Sequence, residues 1–220
     1  MPKDGTLTRA KILDAAQALV LDRGYAGMTV DNVLEKVGIT KGAFFYHFKS
    51  KDDLARSLIQ RFADQDAMVY SEVRARAEKL SDDPLQQMLI FIGLFEEMFD
   101  GLEEPYPGCL FASYVYEMQQ FDDDTRSLIA DSFEKWRNLL KKKFDAIAKR
   151  YPPHVKIDTA SLADAFTVVL EGAFVTGKAL NEPAVIVQQL RHFKNYVGLL
   201  FNSGRSRRAE PTKNKAVATT

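Results

Sequence analysis

Apolar positions in this 220-residue chain recur at helical spacing through most of its length. Val30, Val33, Leu34 and Val37 fall at i, i+3, i+4 and i+7, which places them on one face of a helix. No segment alternates apolar and polar residues for long enough to predict a strand. The pattern therefore predicts an all-α fold of about nine helices.

The strongest local signals lie between Thr29 and Ser50. Thr29 is placed to cap the first of two short helices, and Gly38 stands where a left-handed residue would end it. Thr40 can cap the second helix, and Ser50 with Asp53 predicts a capping box that opens a third, longer helix. Two helices joined by a short turn with a glycine are typical of a helix-turn-helix, whose second helix can enter the DNA major groove.

Helical patterns also flank this unit. An alanine-rich helix is predicted before it, from Thr6 or Thr8 to Asp22, and a helix of up to 30 residues after it, from Lys51 to Leu80. Further helices are predicted at Leu85–Phe99 and from Gly108 to about Gln120. A long helix that follows Phe121–Asp124 and ends at Tyr151 is predicted next, and the last two helices are predicted at Asp158–Asn181 and Pro183–Asn202. We expect three parts: a helix-turn-helix DNA-binding domain at 1–50, a helical regulatory and dimerisation domain at 51–202, and a disordered basic tail at 203–220.

The run G-I-T-K-G-A-F-F-Y-H-F-K-S-K-D-D-L, from Gly38 to Leu54, resembles the recognition-helix signature of the TetR/AcrR family of transcriptional repressors. The preceding R-G-Y-A-G-M-T-V also matches, and the resemblance covers about the first quarter of the chain. It implies a homodimer that binds a pseudo-palindromic operator in double-stranded DNA. It also implies that the C-terminal helices bind a small apolar or aromatic inducer, which releases the repressor.

The resemblance assigns DNA contacts to eight positions of this sequence. These are Thr29, Thr40, Lys41, Gly42, Phe45, Tyr46, His47 and Lys51. Phe45 stands where the family usually has a tyrosine, so a contact there must be apolar, for example with a thymine methyl group. Asp31 stands where many relatives carry an arginine; it could accept from a cytosine amino group or simply strengthen the first turn of its helix. Phe44 is expected to anchor the helix in the core.

Aromatic side chains from four or five helices of the second domain could line a cavity or fill a core. The family resemblance favours a cavity for at least some of them, and polar groups among them could supply its few converging contacts. The residues expected at the ligand are Phe91, Phe95, Phe99, Cys109, Phe111, Tyr114, Glu117, Phe133, Trp136, Phe166, Glu171 and Phe174.

The last two helices offer a surface for self-association. Gly172, Ala173 and Gly177 are small, so a partner helix could approach closely, although the same stripes could also cover only the chain's own core. In the family, these helices pair across a two-fold axis. The predicted dimer interface is Phe166, Val169, Ala173, Gly177, Leu190, Phe193, Val197 and Phe201.

The single cysteine, Cys109, rules out an intramolecular disulfide and a zinc site made only of cysteines. It follows Gly108 at an expected helix N-terminus, where the helix dipole lowers a thiol pKa. A redox- or electrophile-sensing repressor is therefore an alternative, and a small buried apolar residue is the other interpretation.

Charge and motifs narrow the function classes. The net charge is zero, but residues 1–61 carry ten Lys and Arg against seven Asp and Glu, while residues 62–202 carry fifteen against twenty-two.

No catalytic or metal motif occurs, so we expect no enzyme, no cofactor and no metal. Without a signal peptide or an uninterrupted apolar run long enough to span a membrane, a cytoplasmic protein is expected. A non-enzymatic helical interaction module remains an alternative.

Overall fold

The computed structural model describes residues 5–201, so the predicted tail at 203–220 lies outside it. The described residues form nine α-helices and one short 3-10 helix and contain no β-strand, which confirms the all-α prediction. The helices are α1 Gly5–Gly27, α2 Val30–Val37, α3 Lys41–His47, α4 Lys51–Leu80, α5 Pro84–Phe99, α6 Leu110–Val115, α7 Asp123–Arg150, α8 Thr159–Leu180 and α9 Val185–Leu200, with the 3-10 helix at Met118–Gln120. We call α1–α3 the head and α5–α9 the body; α4 joins them.

The predicted caps set the joints of the head. The Thr29 hydroxyl accepts from the Asn32 amide at 3.1 Å, and the Thr40 hydroxyl accepts from the Ala43 amide at 3.3 Å. Gly38 adopts φ 72° and ψ 40° and ends α2, as a residue without a Cβ can do at little cost. Short-range hydrogen bonds thus fix the angle between α2 and α3.

The start of α4 has a modified capping box. The Ser50 hydroxyl accepts from the Asp53 amide at 3.1 Å, as expected. The Asp53 carboxylate, however, accepts from the Lys49 amide at 2.8 Å rather than from Ser50. The chain entering α4 is therefore held on both sides of the cap.

The helix α4 connects two hydrophobic clusters without a break. Near its start, Leu54 and Leu58 are buried among head residues, and further along, Tyr70 and Val73 are buried among body residues. A 30-residue α-helix is about 45 Å long, so one rigid element runs through both parts.

The core under the head also includes the body helix α6. Leu110 and Tyr114 are fully buried together with head residues such as Ile12 and Phe44. The helix α6 is shorter than predicted, because the helix stops at Val115 and a 3-10 turn follows. Head and body are therefore joined by packing as well as by α4.

The body is a bundle in which α5 packs against α4 and α9, and α8 packs against α7 and α9. By length and composition alone α8 could cross a membrane. It nevertheless buries Phe166, Ala173 and Phe174 in the core of this bundle, as a core helix does. We therefore describe α8 as part of the bundle.

Candidate DNA interface and ligand cavity

The helix α3 has one buried and one exposed aromatic face. Phe44 is 0% exposed, whereas Phe45 is 46% and Tyr46 82% exposed. Since Phe44 and Phe48 hold the helix against the core, Lys41, Phe45 and Tyr46 are directed outward. Two exposed aromatic rings and a lysine give this face of α3 both apolar and cationic character.

Gly42 has no structural reason to be a glycine. A Cβ at this position would meet only the Thr40 hydroxyl, at 4.0 Å. Glycine inside a helix costs about 1 kcal/mol relative to alanine. The missing side chain leaves the exposed face of α3 open to close approach.

Two of the expected DNA contacts are already engaged within the head. The Lys51 ammonium donates to the Tyr25 carbonyl at 2.8 Å and lies 4.0 Å from the centre of the Tyr25 ring. Partial burial lowers the pKa of Lys51, while Glu117 and Asp52 nearby oppose that shift. The Thr29 hydroxyl donates to the Asn32 side chain at 2.8 Å. Both residues therefore order the backbone at the base of the head.

His47 is partly buried at the end of α3. Its ring lies 5.0 Å from the Tyr46 ring in an edge-on arrangement, and both rings lie close to Gly5 at the start of α1. The start of α1 and the end of α3 are thus adjacent on one side of the head.

A cavity of about 190 Å³, which we call the body cavity, lies between the body helices and α4. Its walls come from α4, α5, α6, α7, α8 and the segment that leads into α6. Nine of the twelve residues expected at the ligand line it: Phe95, Phe99, Cys109, Phe111, Phe133, Trp136, Phe166, Glu171 and Phe174.

The other three expected residues lie elsewhere. Phe91 is fully buried behind the cavity wall, where its ring contacts Tyr70 and Phe95. Tyr114 is also fully buried, stacked on Phe121 in the core under the head. Glu117 binds the backbone of α1. These assignments to the ligand are corrected, because each side chain is occupied by packing or hydrogen bonds outside the cavity.

The cavity wall that α4 contributes was not predicted from the sequence. Phe62, Gln65, Asp66 and Val69 line the cavity from this helix. They recur at i, i+3, i+4 and i+7, which is the helical spacing that could have identified them. The other lining residues that were not predicted are Met98, Tyr106, Ser132 and Leu170, whereas Thr167 is a polar group that the sequence suggested as a possible contact.

Two carboxyl groups reach the cavity. Asp66 accepts a hydrogen bond from the Trp136 indole N–H. The Glu171 Oε2 atom is buried and has no hydrogen-bond partner among residues 5–201. Burial raises the pKa of both carboxyl groups, since a low-dielectric environment disfavours the charged form.

Cys109 occupies the predicted cap position of α6, but its thiol is not activated. Burial is the largest cause of a raised thiol pKa, and the neighbouring Glu171 carboxyl raises it further. The α6 backbone N–H groups act in the opposite direction and do not overcome these effects. A thiol kept protonated is a poor nucleophile, which disfavours the electrophile-sensing alternative.

Two side chains of the body bind the backbone of α1. The Glu117 carboxylate accepts from the amides of Tyr25 at 2.6 Å and Ala26 at 2.8 Å. The Lys178 ammonium, on α8, donates to the carbonyls of Leu21 at 3.1 Å and Pro107 at 3.0 Å. Between these two points α1 contains Gly24.

Gly24 has φ 75°, and a Cβ there would lie 2.5 Å from the Glu117 Oε1 atom. Only glycine permits both this backbone and this contact. The end of α1 is therefore bound by Glu117, which follows α6, and by Lys178 on α8.

Most residues predicted for the dimer interface are buried in the chain's own core. Phe166, Ala173, Gly177, Leu190, Phe193, Val197 and Phe201 are all buried, and Val169 packs against the same core. Because these side chains already fill the bundle, they leave no surface for a second chain, and the prediction of these positions is corrected.

The exposed sides of the same helices are apolar as well. On α8, Val168 is 68% exposed and Val175 is 57% exposed, and Gly172 lies between them at helical spacing. On α9, Leu199 is 70% exposed and Tyr196 is also exposed. We call these five residues the outer apolar face of the α8–α9 pair.

Comparison with known proteins identifies both parts of the chain. Residues 12–58 match the model of bacterial regulatory proteins, tetR family, and residues 90–193 match that of a tetracyclin repressor-like C-terminal domain. The two matched segments contain the helix-turn-helix and most of the cavity wall.

Individual relatives are transcriptional regulators. The transcriptional regulator AcuR of Cereibacter sphaeroides is 25% identical over 177 residues, which cover 80% of this chain and 78% of that protein. The biofilm operon negative transcriptional regulator IcaR of Staphylococcus epidermidis is 23% identical, over 87% of this chain and 96% of its own. The crystal structure of a TetR-family regulator from Agrobacterium tumefaciens shares the fold with a TM-score of 0.74 at 21% identity, covering 88% of this chain and 98% of that one.

Proposed function

This chain belongs to the TetR family of bacterial DNA-binding transcriptional regulators, and we propose that it is a homodimeric repressor that leaves its operator when a small molecule enters the body cavity. The observation that carries the proposal is an outward α3 together with a cavity whose wall helices, α6 and α8, lead to side chains that bind α1. We infer a cytoplasmic location, where both operator DNA and small ligands are accessible.

The outward face of α3 supports recognition of double-stranded DNA. Lys41 near the N-terminus of the helix suits a phosphate or a guanine edge, and Phe45 suits a thymine methyl group. The absence of a side chain at Gly42 permits the backbone to approach the groove. Asp31 is exposed in the first turn of α2, where it stabilises the helix N-terminus.

The outer apolar face supports a dimer through α8 and α9. Exposed apolar side chains on two packed helices are costly to leave in water, and a second copy of the chain would cover them. The exposed Gly172 has open space where its Cβ would be, so a partner helix can approach closely there. Two heads held by such a dimer would read two half-sites one helical turn apart.

The contacts with α1 support a route from the cavity to the head. Cys109 and Phe111 form part of the cavity wall at the start of α6, and Glu117 follows the same helix and binds α1. Glu171 and Phe174 line the cavity from α8, and Lys178 lies one to two turns further along. A ligand that displaces α6 or α8 would favour a different position of the head, which is a population shift between two states.

Replacement of Lys41 or Tyr46 with alanine is expected to weaken operator binding by about tenfold, because each removes a contact made from the exposed face of α3. The measurement is a fluorescence-anisotropy titration of duplex DNA from the region upstream of the protein's own gene, at several salt concentrations. The loss in Lys41→Ala should be accompanied by a smaller salt dependence, since fewer counterions are released.

Lys79→Ala provides the matched control, because Lys79 is exposed near the far end of α4 and its removal changes the net charge equally. Equal affinity for operator and random duplex in the native protein, or equal losses in Lys41→Ala and Lys79→Ala, would contradict DNA reading by α3.

Val175→Glu is expected to convert the dimer to a 24.8 kDa monomer, because it places a charge in the centre of the outer apolar face. Sedimentation velocity over a concentration series would measure an increase of at least about tenfold in the dissociation constant. Val155→Glu is the control, since Val155 is 58% exposed but lies in the loop after α7. A variant that stays dimeric at every concentration would place the interface elsewhere.

A further inference from the structure

The body cavity contains two acidic side chains that are not neutralised by the protein. Asp66 on α4 and Glu171 on α8 both line it, and neither forms an ion pair with a residue in the range 5–201. Carboxylates that do lie close to a cation, such as Glu96 beside Lys194, are found outside this cavity. An ionised carboxylate is costly to bury without a counter-charge, and a protonated one still needs hydrogen-bond partners, so a ligand that supplies either would stabilise these groups.

Both carboxyl groups are held in place at the cavity wall. The Trp136 indole N–H donates to Asp66, and the Cys109 thiol interacts with Glu171. The Glu171 Oε2 atom remains buried without a hydrogen-bond partner among the described residues. Both groups line the same cavity, and an ionised Asp66 is one of the causes that raise the pKa of Glu171. A positive charge between them would relieve the repulsion and satisfy the free oxygen.

The rest of the wall suits the same kind of charge. The Trp136 and Phe166 rings lie nearly parallel, with centroids 6.1 Å apart, and Phe95 meets Phe166 edge-on at 5.4 Å. Tyr106 and Phe174 lie 4.6 Å apart on the wall as well. Aromatic faces attract organic cations, and the attraction is strongest in a desolvated site.

We propose that the ligand of this regulator is an organic cation, an amine or quaternary ammonium group with an aromatic or apolar substituent, held between Asp66 and Glu171 and the surrounding rings. The inference rests on the proposed function, because it assigns a chemical class to the inducer of the repressor.

A neutral ligand requires the opposite protonation state of the two carboxyl groups. A carbonyl or ether oxygen would need them protonated, so that they could donate a hydrogen bond, whereas a cation needs them ionised. Burial raises the pKa of both groups, so their ionisation is sensitive to what occupies the cavity. Affinity for a cation is therefore expected to increase with rising pH, and affinity for a neutral acceptor to decrease.

The other titratable groups around the cavity do not contribute to this pH dependence of ligand affinity. Tyr106 and Cys109 also face it, but burial raises the pKa of each, which keeps them neutral. The walls from α5 and α7 carry no titratable group; their lining residues are Phe95, Met98, Phe99, Ser132, Phe133 and Trp136.

The test uses two pairs of compounds that differ in charge and hardly in shape. Benzyltrimethylammonium is paired with 2,2-dimethylpropylbenzene, and phenethyltrimethylammonium with 3,3-dimethylbutylbenzene. Trp136 is the single tryptophan of the chain and lines the cavity, so its fluorescence reports binding directly. At least one cation is expected to bind about tenfold or more tightly than its neutral partner.

Two variants localise the effect. Asp66→Asn, which keeps an acceptor for the Trp136 N–H, and Glu171→Gln should each lower cation affinity by about tenfold while changing affinity for the neutral compound less than about twofold. Glu72→Gln makes the same charge change on the exposed side of α4 and should leave the preference intact. Far-ultraviolet circular dichroism confirms that each variant is folded.

The inference is overturned if neither cation binds, if the neutral compounds bind as tightly, or if the preference survives in both cavity variants. Operator titrations of the same native preparation separate this failure from failure of the proposed function. Specific DNA binding without a preference for cations would leave a repressor with a ligand of another class, whereas loss of specific DNA binding would refute the repressor itself.

Discussion

Phe44→Ala is expected to lower the free energy of unfolding by about 3–5 kcal/mol, which is the usual cost of removing a fully buried phenylalanine ring. The ring is 0% exposed and contacts Phe48 with centroids 5.8 Å apart, so its loss leaves a cavity beneath the recognition helix. Urea denaturation followed by circular dichroism measures the effect. Operator binding should be lost together with the order of α3.

Phe45→Ala separates stability from recognition. Its ring is adjacent in sequence and contacts Phe44 edge-on at 5.3 Å, yet it is 46% exposed. The unfolding free energy should therefore fall by less than about 1 kcal/mol, because little apolar surface is returned to water, while operator affinity decreases. If Phe44→Ala destabilised the protein no more than Phe45→Ala, the assignment of Phe44 as the anchor of α3 would be wrong.

Glu117→Ala is expected to cost about 2–3 kcal/mol of unfolding free energy and to weaken the response of operator binding to ligand. The carboxylate accepts two backbone hydrogen bonds from α1, and bonds to a charged group contribute about 1.5–3 kcal/mol each, less where water can replace them. The Ala26 amide is exposed and can bind water, whereas the part-buried Tyr25 amide loses its partner. Denaturant titration measures the first effect.

The second effect is measured as the ratio of operator affinities without and with a saturating cavity ligand. In Glu117→Ala this ratio should approach one if α6 transmits ligand binding to the head through this carboxylate. Glu104→Ala is the control, because Glu104 is exposed in the loop before α6. An unchanged ratio in a destabilised Glu117→Ala variant would restrict Glu117 to a structural role.

The head could be predicted closely because its signals are local. Thr29, Gly38, Thr40 and Ser50 all act at the helix ends where the sequence placed them, since a cap depends on residues within four positions of itself. The bond of Glu117 to α1 could not be predicted in this way. Its donors are 92 and 91 residues distant in the chain, and no short pattern connects them.

The cavity could be predicted only in part, because residue type does not distinguish side chains that line a cavity from side chains that are buried behind its wall. Phe91 and Phe95 are one turn apart on α5, yet Phe95 faces the cavity and Phe91 is buried behind it. Asp66 was missed because α4 is polar along much of its length, so an acidic residue there is typical of a solvated face.

The predicted dimer interface was assigned to side chains of α8 and α9 that are buried in the chain's own core. The helix α8 carries apolar residues on two sides, with Phe166 and Ala173 on one and Val168 and Val175 on the other. The aromatic side was chosen from the sequence, but large aromatic rings are needed to fill the bundle. The smaller valines remain at the surface.

Because α4 is unbroken, a tilt of this helix at the cavity also moves its end at the head. Asp66 in the cavity wall and Lys51 at the base of the head are fifteen residues apart on this helix, about 22 Å along its axis. A tilt of one degree at the cavity end therefore displaces the head end by about 0.4 Å. In a dimer, the displacements of the two heads change the distance between them or leave it unchanged, depending on their direction relative to the two-fold axis. The two half-sites on the DNA stay about 34 Å apart. A tilt of three degrees would displace the head by about 1.2 Å, which is enough to weaken the hydrogen bonds of one head to its half-site.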